Sequence, residues 1–419
     1  NLASRGVGEG DVVAMLCRNH RGFVEATAAL AKLGAHVLYL NTGFAGPQLR
    51  EVLAREKPVA LIHDQDFTDL LQAGSSVDLT VLSWADDPDG MATLDSLVAA
   101  ADDDVPPAPS RSGRTIIFTS GTTGTPKGAP RDQVSGVGPA VAMLDRIPYR
   151  DGDVAVVPAP LFHSWGFANM SLSLLLNFTI VLRRRFDPEK VLADVERQEA
   201  RVLVAVPVML QRILELPPEV RRRYDTSSLE VVPLSGSALP GLLAERWMTE
   251  FGDNLYNLYG STEVGWATIA TPADLRADPR TAGRPPMHTV VKLLDDAGRE
   301  VAEGATGRIF VGSELTFDGY TGGGNKEVID GLMSTGDTGH FDADGRLYVD
   351  GRDDEMIVSG GENVFPREVE DLLASQPEIV EAAVVGIEDP EFGQRLKAFV
   401  VLHEGAAFTA DDVRSVVKQ

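Results

Sequence analysis

Strand-like and helix-like segments alternate along the first half of this chain. Asp11 to Leu16 is an apolar run typical of a buried strand, Phe23 to Leu33 repeats apolar residues at helical spacing, and Ala35 to Leu40 is again strand-like. Pro47 to Glu56 predicts a helix with proline in its first turn. Further buried strands are predicted at 60–62, 154–157, 202–206 and 229–232. This alternation predicts an α/β fold with mainly parallel sheets, because each strand returns to its sheet through a helix.

The pattern changes after about residue 285. Short strands at 290–294 and 308–311 are separated by turn residues, and Asp344-Gly345 and Asp350-Gly351 are further turn signals. We therefore predict a small β subdomain at roughly 285–350, at the end of a large N-terminal domain.

A new α/β pattern begins beyond Gly351. A helix is predicted near 366–375 and a strand near 380–385. We place a large domain at 1–350, a hinge at 351–354 and a mobile α+β C-terminal domain at 355–419.

Composition narrows the classes of function. The 419 residues carry 38 Lys and Arg against 62 Asp and Glu, a net charge of −24, which argues against general nucleic-acid binding. A local loop can still bind a small anion. The only cysteine, Cys17, excludes an intrachain disulfide and fits a reducing, cytoplasmic location. Ala168 to Leu182, the most apolar stretch, is too short and too polar for a transmembrane helix and predicts a buried helix leading into a strand.

One segment opposes the acidic trend. Residues 183–223 contain ten Arg and Lys against seven acids. A solvated surface with local ion pairs is one interpretation. A patch for peripheral contact with anionic lipid, or with an acidic carrier protein, is the other.

The segment from Thr119 to Gly128 predicts a polyphosphate site. It places five hydroxyls, three glycines and Lys127 directly after the strand-like run 115–118. Glycine lets the backbone approach an anion, hydroxyls and amides donate hydrogen bonds, and lysine supplies a positive charge. A Walker loop is excluded, since Lys127 follows Pro126 and precedes Gly128 instead of Ser or Thr.

Several separated motifs follow this loop in a fixed order. They span Pro160 to Gly166, Ser235 to Leu239, Tyr256 to Glu263, Ser334 to Gly339, Gly351 to Asp354 and Ile357 to Pro366. Taken alone, His163 or Tyr259 would more often be a core residue and Glu263 a surface charge. Together with the loop, the motifs resemble the adenylate-forming superfamily of acyl-CoA synthetases, peptide-synthetase adenylation domains and luciferases.

The resemblance implies a role for each matched position. It implies that Tyr259 stacks on adenine, Thr262 contacts the α-phosphate, Glu263 binds Mg²⁺ and Asp337 binds the ribose hydroxyls. His163 would gate the acyl pocket, Arg352 would bind ribose or phosphate, and Asp354 would act as the hinge. The implied catalytic residues are Lys127, His163, Thr262 and Glu263. The implied residues that bind nucleotide or coenzyme A are Thr119, Ser120, Gly121, Thr122, Thr123, Gly124, Lys127, Gly236, Ser237, Ala238, Tyr259, Gly260, Ser261, Thr262, Asp337, Arg352, Gly360 and Gly361.

The implied reaction has two steps and uses ATP, Mg²⁺ and coenzyme A. A carboxylate attacks the α-phosphorus of ATP, and the small domain then rotates so that the thiol attacks the acyl-AMP. The family's lysine near the end of the small domain has no match here, and Lys418 is a poor substitute. We therefore expect the C-terminal domain to be incomplete, and we expect the chain to bind ATP but to adenylate slowly.

The substrate and the acceptor remain open at this stage. The small residues Gly166, Ala168, Val206 and Val208 suggest room in the acyl pocket. Our first choice is a medium- or long-chain fatty acid, and the second is an aryl acid. A carrier-protein thiol is an alternative acceptor, and a non-catalytic nucleotide or acyl binding module is the alternative from another class.

Overall fold

The computed structural model describes residues 1–72, 77–101, 106–119, 127–131, 137–315, 317, 319–321, 323–353, 357–359, 362–389 and 393–417. Within these ranges the chain forms five β-sheets, and the strands of each sheet come from one continuous portion of the sequence.

The first sheet contains six strands in the order β4-β3-β1-β2-β5-β6. All neighbouring strands run parallel except β5 and β6, which form an antiparallel hairpin. Its strands and helices are β1 (Val12–Leu16), α1 (Arg21–Leu33), β2 (His36–Tyr39), α2 (Gly46–Glu56), β3 (Ala60–Asp64), α3 (Thr68–Gln72), β4 (Leu79–Trp84), α4 (Leu94–Ala99), β5 (Thr115–Thr119) and β6 (Lys127–Arg131), with 3₁₀ turns at Ala3–Arg5 and Gln65–Phe67.

Two short sheets follow. One has the order β8-β7-β9 and is parallel; the other has the order β10-β11-β12, with only the last pair antiparallel. Their elements are α5 (Gly138–Arg146), β7 (Val154–Val157), α6 (Ser164–Leu175), β8 (Thr179–Leu182), α7 (Pro188–Gln198), β9 (Val202–Leu203), α8 (Pro207–Leu214), α9 (Pro218–Arg221), β10 (Val232–Leu234), α10 (Gly241–Phe251), β11 (Leu255–Ser261), β12 (Gly265–Ala270) and α11 (Pro272–Ala277).

A shared core joins the first sheet to the next layers. Met15 and Tyr39 of the first sheet belong to the same buried cluster as Val157, Trp165 and Leu258. Because these strands are buried on both faces, they read as continuous apolar runs, which is why the sequence pattern located them.

An antiparallel sheet corresponds to the predicted β subdomain. Its order is β13-β14-β16-β15, with β17 paired to β16, and its strands are β13 (Val290–Leu294), β14 (Gly307–Gly312), β15 (Val328–Ile329), β16 (Leu332–Phe341) and β17 (Leu347–Arg352). The turn expected at Asp344-Gly345 is present, whereas the one expected at Asp350-Gly351 is wrong. Those two residues lie inside β17, where Asp350 is the extra residue of a bulge opposite Thr338 and Gly339.

The last sheet has its own small core. Its order is β19-β18-β21-β20, and its elements are β18 (Ile357–Ser359), β19 (Glu362–Val364), α12 (Pro366–Ala374), β20 (Ile379–Asp389), β21 (Gly393–Leu402) and α13 (Ala410–Val417). The fully or nearly buried side chains of this core are Ile357, Val369, Leu373, Ile379 and Val384. The predicted boundaries at 350 and 355 stay predictions, and Asp354 lies outside the described residues.

These observations confirm the predicted fold class, a large domain of mainly parallel α/β sheets with a β subdomain and a smaller α+β domain. Ala168 to Leu182 contains the end of α6 followed by β8, as predicted. A search of the helices in the described ranges reveals none with the length and apolarity to cross a bilayer.

Ion pairs account for most cations of the basic segment 183–223. Eight of its ten Arg and Lys side chains pair with carboxylates in the described part of the chain. Arg183 and Arg197 both bind Asp194, while Arg184 and Arg185 both bind Asp66. This arrangement favours the interpretation as a solvated surface with local ion pairs.

Candidate active site

A cleft of about 2280 Å³ brings the predicted residues together. It is bordered by the β5–β6 hairpin, the start of α6, the turn after β10, the β11–β12 hairpin and the β16–β17 pair. The predicted residues that line it are Lys127, His163, Gly236, Ser237, Ala238, Tyr259, Gly260, Ser261, Thr262, Glu263, Asp337 and Arg352. Motifs separated by more than 200 positions in the sequence therefore share one cavity.

The predicted phosphate loop connects β5 to β6. Thr119 ends β5 directly opposite Lys127, which begins β6. The intervening Ser120, Gly121, Thr122, Thr123 and Gly124 lie outside the described residues, as do Gly360 and Gly361 of the small domain and the side chain of Thr119.

Backbone and side-chain contacts hold the base of this hairpin in place. The Gly128 amide donates to Thr321 Oγ1 at 3.1 Å, and the Thr321 amide donates to the Gly128 carbonyl at 2.8 Å. Thr321 Oγ1 in turn donates to Glu56 Oε1 at 2.8 Å. These bonds position Lys127, whose Nζ lies 5.4 Å from the centroid of the Tyr320 ring.

Tyr320 links Lys127 to Glu263, and the sequence analysis did not identify it. Its hydroxyl donates to Glu263 Oε1 at 2.7 Å. Burial and the neighbouring carboxylate raise the pKa of Tyr320, so the hydroxyl keeps its proton and remains a donor. The only signal available in the sequence was an aromatic residue within a glycine-rich turn.

Glu263 has the chemistry expected of a magnesium ligand. The residue is 8% exposed and lines the cleft, and its backbone carbonyl accepts from the Phe317 amide at 2.9 Å. Tyr320 occupies Oε1, and no residue in the described ranges donates to Oε2. A carboxylate that lines the cleft suits a hard cation, so the residues present fit Mg²⁺.

The turn between β11 and β12 is tied to the start of α6. Ser164 Oγ lies 2.9 Å from Thr262 Oγ1, and Ser261 Oγ accepts from the amides of Glu263 and Val264 at 3.2 and 3.4 Å. Both hydroxyl residues therefore shape the turn that presents Thr262 and Glu263 to the cleft.

His163 is the residue immediately before α6, makes no side-chain capping bond and borders the cleft. Its ring lies 4.5 Å from that of Phe162, and the surrounding protein lowers its pKa by desolvation, so the imidazole is neutral at pH 7. The segment before it is pinned by Asn19, which donates to the carbonyls of Val157 and Ala159 and accepts from the Leu161 amide.

Asp337 and Tyr259 lie together on the opposite side of the cleft. The Tyr259 hydroxyl donates to Asp337 Oδ2 at 2.6 Å, and Asp337 pairs across the sheet with Arg352. Burial raises the pKa of Asp337, although the Tyr259 hydroxyl and the charges of Arg352 and Lys326 partly oppose this shift. Lys326 also lines the cleft and was not identified from sequence.

Residues of the β11–β12 hairpin line the cleft and pack against two different core clusters. Side chains alternate between faces along a strand, so Asn257 and Tyr259 share one face and Leu258 lies on the other. A bulge between Tyr259 and Gly260 interrupts this alternation. Trp266 packs against the core cluster that contains Leu258, whereas Tyr259 packs against a separate cluster that contains Ile309.

Asn257 is a further cleft residue that the sequence analysis missed. It is 8% exposed, and its Oδ1 has no hydrogen-bond partner among the residues that the structure describes. Asn257 lies two residues before Tyr259 and on the same face of β11.

The turn after β10 requires glycine at its centre. Gly236 has a φ of +94°, a left-handed conformation that side chains rarely adopt. Ser237 and Ala238 follow it at the cleft surface, where the backbone is open to a flat ligand.

Comparison with known proteins agrees with this geometry. The sequence matches the AMP-binding enzyme family over residues 1–321 and the AMP-binding enzyme C-terminal domain over residues 368–419. The chain belongs to the AMP-binding enzyme family. The predicted superfamily and the predicted class, an AMP-forming acid–thiol ligase, are thereby confirmed.

The similar proteins include ligases of aromatic acids. Indoleacetate–CoA ligase of Aromatoleum aromaticum is 34% identical, over 100% of this chain and 83% of its own length. Feruloyl-CoA synthase of an Amycolatopsis species is 33% identical, over 98% and 82%. The structure of o-succinylbenzoate CoA synthetase from Bacillus subtilis with its acyl-adenylate intermediate has a TM-score of 0.85 and 28% identity, over 100% and 83%. The predicted cofactors ATP, Mg²⁺ and coenzyme A agree with these relatives.

Proposed function

We propose that this protein converts an aromatic or cyclic carboxylic acid, ATP and coenzyme A into the acyl-CoA thioester, AMP and pyrophosphate. The observation that carries the proposal is the convergence of Lys127, Glu263, Tyr259 and Asp337 on one cleft. A non-catalytic binding module would not require a cation, a metal-binding carboxylate and a ribose-binding carboxylate in this arrangement.

We assign the nucleotide to the side of the cleft that holds Tyr259. Its ring would stack on adenine, Asn257 would accept from the adenine amino group, and Asp337 would accept from the ribose hydroxyls. Lys127 would contact the phosphates, and Mg²⁺ on Glu263 would supply further charge neutralisation there.

In the first step, the acid displaces pyrophosphate from ATP. A carboxylate oxygen of the acid attacks the α-phosphorus, the bond to the bridging oxygen of the β-phosphate breaks, and pyrophosphate leaves. Lys127 and Thr262 orient the reacting groups and donate to phosphate oxygens, whose charge grows in the transition state. The neutral His163 excludes water from the wall of the cleft without repelling or trapping the carboxylate.

The second step forms the thioester. The sulfur of coenzyme A attacks the acyl carbonyl, AMP leaves, and the thiol proton is released. Residues of the small domain that line the cleft, including Ile357 and Gly386, support a role for this domain in the step. We retain the proposed hinge at 351–354, together with a cytoplasmic location that rests on the single cysteine.

The walls of the acid side favour an aromatic or cyclic body over a flexible chain. α6 contains no charged residue, and Phe167 packs against Tyr39 with ring centroids 4.9 Å apart. Ala168 is a small residue in the cleft lining and leaves width for a ring. Gly166 has a different role, since an added Cβ there would lie 2.2 Å from the Pro160 carbonyl oxygen. The relatives named above also act on aromatic acids, whereas the fatty-acid preference expected from sequence has no support among them.

An exchange assay tests the proposal. The protein is incubated with ATP, Mg²⁺ and labelled pyrophosphate, together with indole-3-acetate, ferulate or 2-succinylbenzoate, or with octanoate or palmitate. We expect exchange with at least one aromatic acid and AMP release that depends on coenzyme A. Faster exchange with the alkyl acids would refute the aromatic preference. AMP release with a carrier-protein thiol but not with coenzyme A would show that the acceptor is a carrier protein.

Lys127→Ala gives the same assay a site-specific readout. We expect exchange to fall about 100-fold, since a charge aimed at the transition state is removed. Lys190→Ala is the matched control, because this exposed lysine pairs with Asp187 and does not line the cleft. Equal exchange by the two variants would contradict the assignment of Lys127.

A further inference from the structure

Lys326 presents an ammonium group to the cleft, just before β15. The residue is half-buried and lines the cleft together with Thr335, Asp337 and Arg352. Its Nζ donates to the Thr335 carbonyl at 3.4 Å, and it forms no ion pair with any carboxylate in the part of the chain that the structure describes. An ammonium group has three N–H donors, so donors remain for a ligand in the cleft.

The backbone before Asp337 brings this ammonium group close to the carboxylate that we assign to the ribose. A Cβ built on Gly336 would lie 3.1 Å from Lys326 Nζ and 3.6 Å from Arg352 Nη2. Two cationic side chains therefore lie beside the residue that precedes Asp337. Their positive charges oppose the rise in the pKa of Asp337 that burial causes. Lys326 is thus near Asp337 without being paired to it, which leaves room between them for an atom of a ligand.

A ribose hydroxyl needs both a hydrogen-bond acceptor and a donor. Its hydrogen is donated to an acceptor, while its oxygen accepts through its lone pairs. Ionised Asp337 can only accept, so it satisfies the hydrogen and leaves the oxygen without a donor. Tyr259 already donates its own hydroxyl to Asp337. Lys326 can only donate, so it complements Asp337 at the same ribose hydroxyl through a charge-assisted hydrogen bond.

We propose that Lys326 binds the ribose of ATP together with Asp337 and thereby favours ribonucleotides over deoxyribonucleotides. The proposal rests on the proposed function and adds a binding residue to its nucleotide site. The alternative contact for a lysine is the triphosphate, which we assign to Lys127 on the β5–β6 hairpin. The two contacts differ in a measurable way, because removing a ribose hydroxyl abolishes the effect of Lys326 only if the lysine binds that hydroxyl.

Nucleotides that lack one hydroxyl test the proposal without any acid or coenzyme A. Equilibrium dialysis with Mg²⁺ measures the Kd of ATP, 2′-deoxy-ATP and 3′-deoxy-ATP for wild type and for Lys326→Met, which keeps the apolar stem and removes the charge. We expect wild type to bind one of the deoxy nucleotides about tenfold more weakly than ATP, the scale of a hydrogen bond to a charged group. Lys326→Met should bind ATP about tenfold more weakly than wild type does, but it should bind that deoxy nucleotide within about twofold of wild type.

Two further variants assign the effect to the charge of Lys326. Lys326→Arg keeps a cationic donor and should retain the preference for ATP, whereas Lys326→Ala should reproduce the loss expected for Lys326→Met. Lys292→Met is the matched control, because this exposed lysine pairs with Glu300 and does not line the cleft. It should bind all three nucleotides as wild type does.

The outcomes separate the proposal from the function beneath it. Failure of the wild type to bind ATP would defeat the proposed function. If Lys326→Met loses the same factor for ATP and for both deoxy nucleotides, the lysine acts on the triphosphate, and the proposal is overturned while the function stands. Equal Kd values of wild type for all three nucleotides, or equal binding of ATP by Lys326→Met and Lys292→Met, would also overturn it. Lys326→Ala carries the same comparisons should Lys326→Met fail to fold.

Discussion

At the scale of single residues, the contact between Tyr320 and Glu263 organises the part of the cleft that we assign to the phosphates. The tyrosine ring lies beside Lys127 and its hydroxyl binds the carboxylate that we assign to Mg²⁺. One side chain thus contacts both the cation and the anion that we assign to the phosphates. Its role is one of positioning, since it acts through Glu263 and Lys127.

Tyr320→Phe should weaken the magnesium dependence of catalysis. The ring beside Lys127 remains, but Glu263 loses its donor, so we expect about a tenfold fall in exchange rate and a higher Mg²⁺ concentration for half-maximal activity. A magnesium titration of the exchange rate measures both effects. Tyr224→Phe removes a similar hydroxyl–carboxylate bond, to Glu189, outside the cleft. A half-maximal Mg²⁺ concentration equal to that of Tyr224→Phe would contradict the positioning role.

We expect the ionised side chain of Asp337 to lower the stability of the protein while it contributes to ATP binding. Burial raises its pKa above the unfolded value, so its contribution to stability is present at low pH and is lost as pH rises through the folded pKa. Asp337→Asn should therefore melt at a higher temperature than wild type at pH 7, with the difference shrinking as the pH falls. Its affinity for ATP should drop about 10- to 100-fold, because a charged acceptor is lost.

An exposed aspartate serves as a control, because its ionisation should change the stability of the protein with pH in the opposite direction. The pKa of Asp295 is lowered, chiefly by the Arg299 amide, so its contribution to stability is present at neutral pH and is lost in acid. Asp295→Asn should melt at a lower temperature than wild type at pH 7. Thermal melts of both variants between pH 3 and pH 7 make the comparison, and a lower melting temperature for Asp337→Asn at pH 7 would refute the burial argument.

At the scale of elements, the β11–β12 hairpin contributes side chains to two core clusters. Tyr259 packs against the cluster that contains Ile309, and Trp266 packs against the cluster that contains Trp165. The strands cross closely at Gly260, where an added Cβ would lie 2.0 Å from the Gly265 carbonyl oxygen. The hairpin therefore requires glycine at this position for steric reasons.

Gly260→Ala should destabilise the protein by about 2–3 kcal/mol, the range for a group forced into filled space. Gly8→Ala is the control, because the nearest atom to its added Cβ is 3.8 Å away. Urea unfolding of both variants measures the difference. Equal unfolding free energies for the two variants would show that the hairpin adjusts at no cost.

At the scale of the whole molecule, charge is organised by local pairing. The net charge of −24 coexists with an arginine-rich segment whose cations mostly contact carboxylates. Asp66 alone binds Arg18, Arg184 and Arg185, and these contacts lower its pKa. Such a surface presents little free positive charge to an anionic membrane.

Vesicle binding should therefore be weak. We expect no co-sedimentation with phosphatidylserine vesicles at 0.15 M salt, where screening extends over about 8 Å. Phosphatidylcholine vesicles are the matched control for non-specific association. Binding that increases with the phosphatidylserine fraction would show that the ion pairs open and that the segment recognises lipid.

The sequence predicted a cleft residue only where that residue lies in a motif whose residue types indicate a binding chemistry. Lys127, Tyr259, Glu263 and Asp337 occur in dense motifs, and the cleft does contain them. Tyr320 and Trp266 gave no comparable signal, because an isolated aromatic residue looks the same in a core as in a binding site. The prediction of a turn at Asp350-Gly351 was wrong because a β-bulge and a turn favour the same residue types.

The order of apolar strands and amphipathic helices along this sequence was enough to determine its α/β class, since burial on a sheet or helix face imposes its period on the chain. Tertiary structure alone decided which core cluster each aromatic residue of the β11–β12 hairpin packs against and which cations pair with carboxylates. Those properties depend on strand register and on contacts between distant segments, and a local pattern does not contain them.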